Sequence, residues 1–395
     1  MNTSPRHILL TGATGILGSH ILYELLLSCL TGERRLRITL VVRSTGEESA
    51  RERIRRVLLN PYRPLVLCSF SPEQLFQFID IIDAGLNELD ASHLMMLGKT
   101  GGLGGIHIIH SAAATNLSGN SNVHDTIYEH NYKGTLHLLH WASGILQKFT
   151  FIGTAYSIGH REGIIPDNYT QLMPDGESAE TADRNWRNPY EKIKTQAGYE
   201  LIRYCSLHGI KWQILRPSTI CGRIMYEPLY FTPKFNVFYL FGKFFYKMAT
   251  PNNRNEVVRV VANPDSVLNI VPVDYVAKAI TRVFDNDAIK EMNLVHSNAL
   301  PVEYIVNYMI EYAGLKCEFV NALPADQSIL ERMYYKVVGP QFTQYINTPW
   351  HAYDTTVLRS VMSDIAEVNM KSAFPHLYGY AVQHQFGEKV EKMAV

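Results

Sequence analysis

The chain has 395 residues, 46% of them hydrophobic, which is enough to fill one large domain or a domain with a smaller lobe. Lysine plus arginine and aspartate plus glutamate number 37 each, so the formal net charge is zero and nothing favours broad attraction to nucleic acid or to an anionic membrane. Five dispersed cysteines (Cys29, Cys68, Cys205, Cys221 and Cys317) include no Cys-x-x-Cys pair, and they read as reduced thiols of a cytoplasmic protein. The N-terminus lacks signal-peptide form, and no apolar run reaches the length of a membrane span. Fifteen histidines, among them His107, His110, His124, His130, His137 and His140, invite a metal reading. No Glu or Cys completes a recognisable ligand pattern around them, so no metal site is expected.

Ile8, Leu9 and Leu10 read as a short buried strand, followed by Gly12, Gly15 and Gly18 and then a helical stretch from Ile16 to Leu30. Glycines at this spacing allow a tight turn, close approach of backbone to a pyrophosphate, and close packing of helix on sheet. The helix N-terminus adds free N–H groups and a positive dipole end. Placed between a strand and a helix, the motif predicts dinucleotide binding.

Leu36 to Val42 predicts a second strand, ending at Arg43-Ser44. An acidic residue would take the ribose 2′-OH of NAD at that point; Arg43 suits a 2′-phosphate instead and argues for NADPH. The bland alternative is a surface arginine. Arg53 and Arg56, on a helical stretch over 48–59, either assist or form a solvated face. Residues 60–76, with three prolines, read as irregular. Phe78 to Asp83 predicts a third strand, with Asp83 placed either to accept from an adenine amino group or to cap. Gly101, Gly102, Gly104 and Gly105 form a flexible connection to a buried strand over 106–110, and the small residues after it suit a flat ligand. A helix that Asn131–Thr135 opens or lies within, running to about Leu146, and a fifth strand over 148–153 continue the alternation. This pattern predicts an α/β fold, a Rossmann-type doubly wound parallel sheet. Residues 1–222 form the NADP-binding domain, sheet elements return around 265–300, and 223–395 form mainly a smaller, discontinuous substrate lobe.

Two stretches carry the chemistry. Tyr190 and Lys194 stand four apart, on one face of a helix, where an ammonium can lower the tyrosine pKa and also hold ribose hydroxyls. Thr154 follows the fifth strand, at the sheet edge where ligands bind, and can stabilise a developing oxyanion.

With these residues in order, the chain resembles an extended short-chain dehydrogenase/reductase. The motifs are Thr-Gly-Ala-Thr-Gly-Ile-Leu-Gly (11–18), Ser-Ala-Ala (111–113), Asn-x-x-Gly-Thr (131–135), Gly-Thr-Ala-Tyr (153–156), Tyr-x-x-x-Lys (190–194) and Leu-Arg-Pro-Ser-Thr-Ile-Cys-Gly (215–222). Leu-Val-Val-Arg (40–43), the 153–163 segment and the 263–277 segment make it most similar to the thioester reductase and fatty acyl-CoA reductase branch of NAD-binding male-sterility-type domains. The resemblance covers about residues 7–300. It implies Tyr190 as proton donor, Lys194 as its partner and ribose ligand, and Thr154 as the carbonyl-orienting hydroxyl. It implies cofactor contacts from Thr11, Gly12, Thr14, Gly15, Ile16, Leu17, Gly18, Arg43, Arg53, Asp83, Ala84, Ser111, Ala112, Ala113, Asn131, Lys194, Pro217, Ser218 and Thr219. Gly153 departs from the pattern, standing where many relatives have Ser.

Residues 225–248 are crowded with Tyr, Phe and Met. They read as an apolar substrate wall, as ordinary core, or as a surface that touches a membrane or a carrier protein. Lys234, Lys243 and Lys247 within the stretch suit an acidic carrier or a CoA phosphate, or are simply solvated. The expected activity is NADPH-dependent reduction of an acyl thioester, delivered by a carrier protein or CoA, to an aldehyde, with a second reduction to the alcohol left open. An NADP-dependent oxidoreductase or epimerase acting on a ketone, sterol or nucleotide sugar is the second expectation, and a non-catalytic cofactor sensor the third. Peripheral membrane contact and the oligomeric state are left open.

Overall fold

The computed structural model describes residues 5–101, 105–115, 117, 121–168, 170 and 186–387. Seven strands form its central sheet: β1 Arg6–Thr11, β2 Leu36–Val41, β3 Ile79–Ile82, β4 Ile106–His110, β5 Leu146–Ile152, β6 Lys211–Pro217 and β7 Glu291–Leu294. Their spatial order is β7-β6-β5-β4-β1-β2-β3, and every pairing is parallel. This is a Rossmann-type doubly wound sheet. The order reverses beside β1, so the carboxyl ends of β1 and β4 open a crevice where the glycine turn lies.

Both faces of the sheet are covered, which is why β1, β4 and β5 read as nearly continuous apolar runs. Alternate side chains serve alternate layers. Ile8, Leu10, Ile38, Leu40, Ile109 and Leu215 pack against the helices Ile16–Leu30, Ala50–Leu58 and Val273–Val283. On the other face Leu9, Ile108, Phe149, Phe151 and Ile214 pack against Gly134–Ala142 and Pro189–Leu207.

A second core lies outside the sheet. The helices Phe238–Met248, Val302–Tyr312, Ile329–Val337, Gly339–Ile346 and Met370–Gln383 enclose it, together with the parallel strand pair Val257–Val261 and Lys316–Val320. Phe238, Tyr239, Phe241 and Phe245 are fully or almost fully buried there. The aromatic stretch is therefore mainly the lobe's own core, and only its edge faces a cavity.

Three local expectations are corrected. Residues 60–76 are not irregular throughout: Leu65–Leu67 and Pro72–Phe76 are short helices, the second started by a Ser71/Gln74 capping box with proline in its first turn. The helix expected to open at or contain Asn131–Thr135 and run to about Leu146 starts earlier and stops sooner: it is α over Ser121–Ile127, π over Tyr128–Lys133 and α again over Gly134–Ala142, so the motif lies within it, and β5 starts at Leu146. Gly101 ends the helix Ala91–Gly101 and is not a linker; Gly102 and Gly104 lie outside the described residues.

Candidate active site

The turn after β1 is built from atoms that leave no room for side chains. Gly12 has φ +77°, and a Cβ there would lie 2.6 Å from the Ala112 nitrogen; one at Gly18 would overlap the Gly12 carbonyl. The Gly15 amide donates to that carbonyl at 2.8 Å. No side chain caps the helix Ile16–Leu30, so the first amides, at Ile16, Leu17 and Gly18, remain for an anion. Thr11 Oγ1 bonds His110 Nδ1 at 2.7 Å and accepts from the Ala112 amide at 3.2 Å, tying the ends of β1 and β4 together.

Beside the turn, Arg43 is exposed just past β2. Arg53 reaches from the helix Ala50–Leu58 to donate to the Arg43 carbonyl at 2.5 Å and to Thr14 Oγ1 at 3.4 Å. The Arg53 guanidinium thus belongs to the rim of the glycine turn, and Arg43 meets it through its main-chain carbonyl. Asp83 lies next to them with Ala84 buried behind it, but its carboxylate accepts from the Ser44 amide at 2.7 Å and from Ser44 Oγ at 2.5 Å. It fastens the β2–α loop, the structural one of its two expected roles.

The small residues after β4 are partly exposed at Ser111, Ala112 and Ala113. Asn131 holds this loop with both amide atoms: Oδ1 accepts from the Ala114 amide at 2.7 Å and Nδ2 donates to the Ala114 carbonyl at 2.9 Å. It shapes the crevice from behind, from within a π-turn, a conformation common at functional sites. Past β6, Ser218 Oγ donates to Asn269 Oδ1 at 2.7 Å and Thr219 shares a 2.8 Å bond with the Tyr156 hydroxyl. These hydroxyls are spent inside the protein. With Pro217, which ends β6, this segment offers a ligand mainly backbone.

Thr154 caps the short 3₁₀ turn after β5, its Oγ1 accepting from the Tyr156 amide at 3.3 Å. Asn188 caps the helix Pro189–Leu207 in the same way, accepting from the Glu191 amide at 3.1 Å. Tyr190 in the first turn of that helix is half-buried, and Lys194 is 1% exposed. Thr154 and Lys194 line one small cavity of about 20 Å³ with Phe151, Ser157 and Arg216, enough for a single water. Among the described residues the Lys194 ammonium has no hydrogen-bond partner and lies 4.2 Å from the centre of the Phe151 ring. Burial alone lowers its pKa to about 7. The expected lowering of the Tyr190 pKa is not found: burial, and then the neighbouring Glu191 charge, push the phenol above its ordinary value. A Cβ at Gly153 would meet Arg216 and Ile214 at ordinary contact distances of 3.5 Å, so the missing serine is not excluded by packing.

Sequence reasoning missed the group under Tyr190. Arg187 and Glu191 form a buried ion pair at 3.5 Å. Glu191 is raised to about 7, by burial against the opposing Arg187 charge. The hydroxyl of Tyr345, from the helix Gly339–Ile346, accepts from Asn188 Nδ2 at 2.7 Å and is hydrogen-bonded to Glu191. Its ring meets Tyr156 edge-on at 5.0 Å. Asn188-Pro189 is a readable helix start, but nothing local marks a tyrosine 155 positions after Tyr190 as its neighbour.

Tyr345 also lines a groove of about 330 Å³, with Thr115, Leu117, Lys234, Asn236, Val237, Leu240, Val338, Gln341 and Phe342. The groove therefore abuts the first turn of the helix that carries Tyr190 and Lys194. Its lining is amphipathic, with amide and hydroxyl groups among aliphatic ones.

The histidines serve structure. His107 bonds Thr150 at 2.9 Å, His110 bonds Thr135 at 2.9 Å, and His137 bonds the Leu89 carbonyl at 2.8 Å. Among the described residues no group of three or more His, Cys, Asp or Glu is placed to hold a metal ion, and no helix is long and apolar enough to cross a membrane.

The parallel sheet and the glycine turn are those of an extended short-chain dehydrogenase/reductase with an NAD(P)-binding domain; the structure brings Thr154 and Lys194 to one cavity, and Tyr190 is not among its lining residues. The "Male sterility protein" family model matches residues 10–280, and the chain belongs to that NAD-binding family. Solved structures agree on the fold. The terminal R domain from the myxalamid PKS-NRPS biosynthetic pathway aligns with a TM-score of 0.68 at 22% identity, covering 98% of this chain and 92% of that one. UDP-glucuronic acid 4-epimerase from Bacillus cereus, in complex with NAD, aligns with a TM-score of 0.59 at 16% identity over 96% and 97% of the two chains. UDP-N-acetylglucosamine 4-epimerase from Methanobrevibacter ruminantium M1 aligns with a TM-score of 0.55 at 16% identity over 95% and 96%. No curated protein matches the sequence.

Proposed function

We propose that this chain is an NADPH-dependent reductase of acyl thioesters. The observation that carries the reading is the groove that meets the helix Pro189–Leu207 through Tyr345: it is amphipathic and bounded by Lys234. An acyl chain on an amide-containing, phosphate-bearing arm matches that lining better than a compact sugar does. The likeness to a terminal R domain supports the same class, and Arg43 with Arg53 at the rim of the glycine turn supports NADPH over NADH.

The residues present fit the cofactor. Gly12 and Gly18 form a cradle that a Cβ would fill, and the Lys194 ammonium is buried without a partner. Gly12, Gly15 and the amides of Ile16, Leu17 and Gly18 would hold the pyrophosphate, Arg43 and Arg53 the 2′-phosphate, and Lys194 the nicotinamide ribose. When bound, the dinucleotide supplies a hydride. Thr154 and Tyr190 hold the thioester carbonyl oxygen and stabilise the negative charge that develops there. Tyr190 then gives its proton to the leaving sulfur as the oxyanion re-forms the carbonyl and the carbon–sulfur bond breaks, so that one hydride and one proton convert the thioester into an aldehyde and a free thiol. Lys194 would donate to the nicotinamide ribose and so gain the partner that its buried ammonium lacks among the described residues. A second round on the aldehyde gives the alcohol.

The test is to follow NADPH absorbance and free thiol together with an acyl-CoA and an acylated carrier protein as substrates. Cofactor oxidation matched by thiol release is expected, and Tyr190→Phe should lower the rate by about 10²–10⁴-fold. Oxidation without thiol release would overturn the thioester assignment. Tightly retained NAD with turnover of a nucleotide sugar would favour the epimerase-like reading.

A further inference from the structure

We propose that the exposed face of the helix Ile329–Val337 is the docking surface for a protein carrier that delivers the thioester, a partner presenting an apolar stripe flanked by carboxylates. The inference rests on the thioester reading above, and it decides between a carrier protein and coenzyme A as the vehicle.

Ile329, Met333 and Val337 stand four residues apart, so they lie along one face of the helix. They are 71%, 40% and 56% exposed, and Leu323 just before the helix is 60% exposed. The opposite face is packed: Leu330 and Tyr334 are buried in the lobe core, and Tyr334 meets Phe241, Phe244 and Phe245. An apolar stripe on the solvent side of an already amphipathic helix serves no packing role in the chain itself and marks an interaction surface.

Charge selects the partner. Arg332 and Lys336 are exposed and flank the stripe. Arg332 donates one bond to the Gln327 carbonyl at 2.5 Å, and Lys336 has no hydrogen bond or ion pair among the described residues. The acidic residue of the helix, Glu331, is buried and bound by Arg259 at 2.8 Å, so its charge does not oppose an incoming carboxylate. The exposed face is thus apolar and cationic, the complement of an acidic helix with an apolar ridge.

Position ties the surface to the groove. The stripe ends at Val337, and the next residue, Val338, lines the groove. Leu240, 40% exposed, lines the groove from the adjoining helix Phe238–Met248, and Lys234 stands at the same lining. A partner seated on Ile329, Met333 and Val337 has its tethered arm at the groove's edge. Coenzyme A carries the same arm but no body to cover the stripe.

The decisive measurement compares one octanoyl group carried on the phosphopantetheine of a purified acyl carrier protein with the same group on coenzyme A. Met333→Asp and Lys336→Glu should raise the KM for the carrier-linked substrate by about tenfold or more, as at a small interface centre, with CoA-linked turnover unchanged. Met333→Leu, which keeps the stripe apolar, should behave as the unmodified chain. Equal losses on both substrates, or no loss on either, overturn the docking surface while leaving the thioester reading intact. Inactivity of the unmodified chain toward both substrates overturns that reading and this inference with it. Binding of the unmodified chain to anionic phospholipid vesicles that the two variants abolish, or a dimer in light scattering that they dissociate, without a change in carrier kinetics, assigns the surface to a membrane or to a second copy and likewise overturns it.

Discussion

The cofactor crevice and the substrate groove are specified in opposite ways. The crevice is made by backbone: Gly12 is pressed against Ala112, Gly18 against the Gly12 carbonyl, and the amides that face a phosphate belong to one short run of sequence. The groove is made by side chains from segments far apart, among them Thr115 and Leu117, Lys234 to Leu240, and Val338 to Tyr345. A site built from local backbone admits few sequences. One built from dispersed side chains on a packed lobe admits many, since cores tolerate substitution when volume and patterning are kept.

The contrast can be broken by substitution, and the largest effect is expected in the crevice. Gly18→Ala places a Cβ on the Gly12 carbonyl and should cost about 1–3 kcal/mol of stability by overpacking, together with most of the dinucleotide affinity. Calorimetry and cofactor titration would check it, and retained affinity would show that the turn relaxes. Next come the arginines. Arg43→Ala or Arg53→Ala removes charge-assisted bonds of about 1.5–3 kcal/mol each, so NADPH affinity should fall about tenfold or more with NADH affinity nearly unchanged. Equal losses for both cofactors would remove the 2′-phosphate role.

That gradient follows what was legible in the sequence. The glycine spacing, the strands β1, β2 and β4 and the helix that carries Tyr190 and Lys194 could all be read, because period and local geometry determine them. The π-turn at Tyr128–Lys133 could not, since it depends on Asn131 clamping Ala114 across the crevice. Nor could the fate of the aromatics at 235–245, because composition does not distinguish a lobe core from a substrate wall. The Arg187–Glu191–Tyr345 group was hidden by its partner's distance in sequence. Asp83 shows the middle case: the sequence places it at the end of β3, and the structure adds its bonds to the Ser44 amide and hydroxyl.

A smaller effect is expected from pH. Lys194 has its pKa depressed to about 7 in the folded chain against an ordinary value of 10.5. Between those values the unfolded chain binds a proton that the folded chain does not, so this group makes stability rise with pH from about 7 to 10.5; below about 7 the full cost of burying the ammonium persists. Denaturant titrations of the cofactor-free protein should show that slope, and Lys194→Met should flatten it. The smallest effect is expected in the lobe. Tyr345→Phe keeps the ring against Tyr156 and removes the hydroxyl that Asn188 and Glu191 share, a loss of about 0.5–1.5 kcal/mol. A reduction in kcat of a few fold is expected with cofactor affinity unchanged. A loss as large as that of Tyr190→Phe would erase the contrast between the two regions.

The place of β7 has a consequence for how the chain is made. β6 ends at Pro217, yet the strand that covers its outer edge begins only at Glu291, after the first helix and first strand of the second lobe and the helix Val273–Val283, and the buried Arg216–Glu291 ion pair joins the two. During synthesis the edge of β6 and the Arg216 guanidinium wait for more than seventy residues of further chain. Any fragment that stops before Glu291 keeps every glycine of the turn but carries an open strand edge and an Arg216 that has lost its carboxylate partner. Such a fragment is expected to aggregate or to be captured by chaperones.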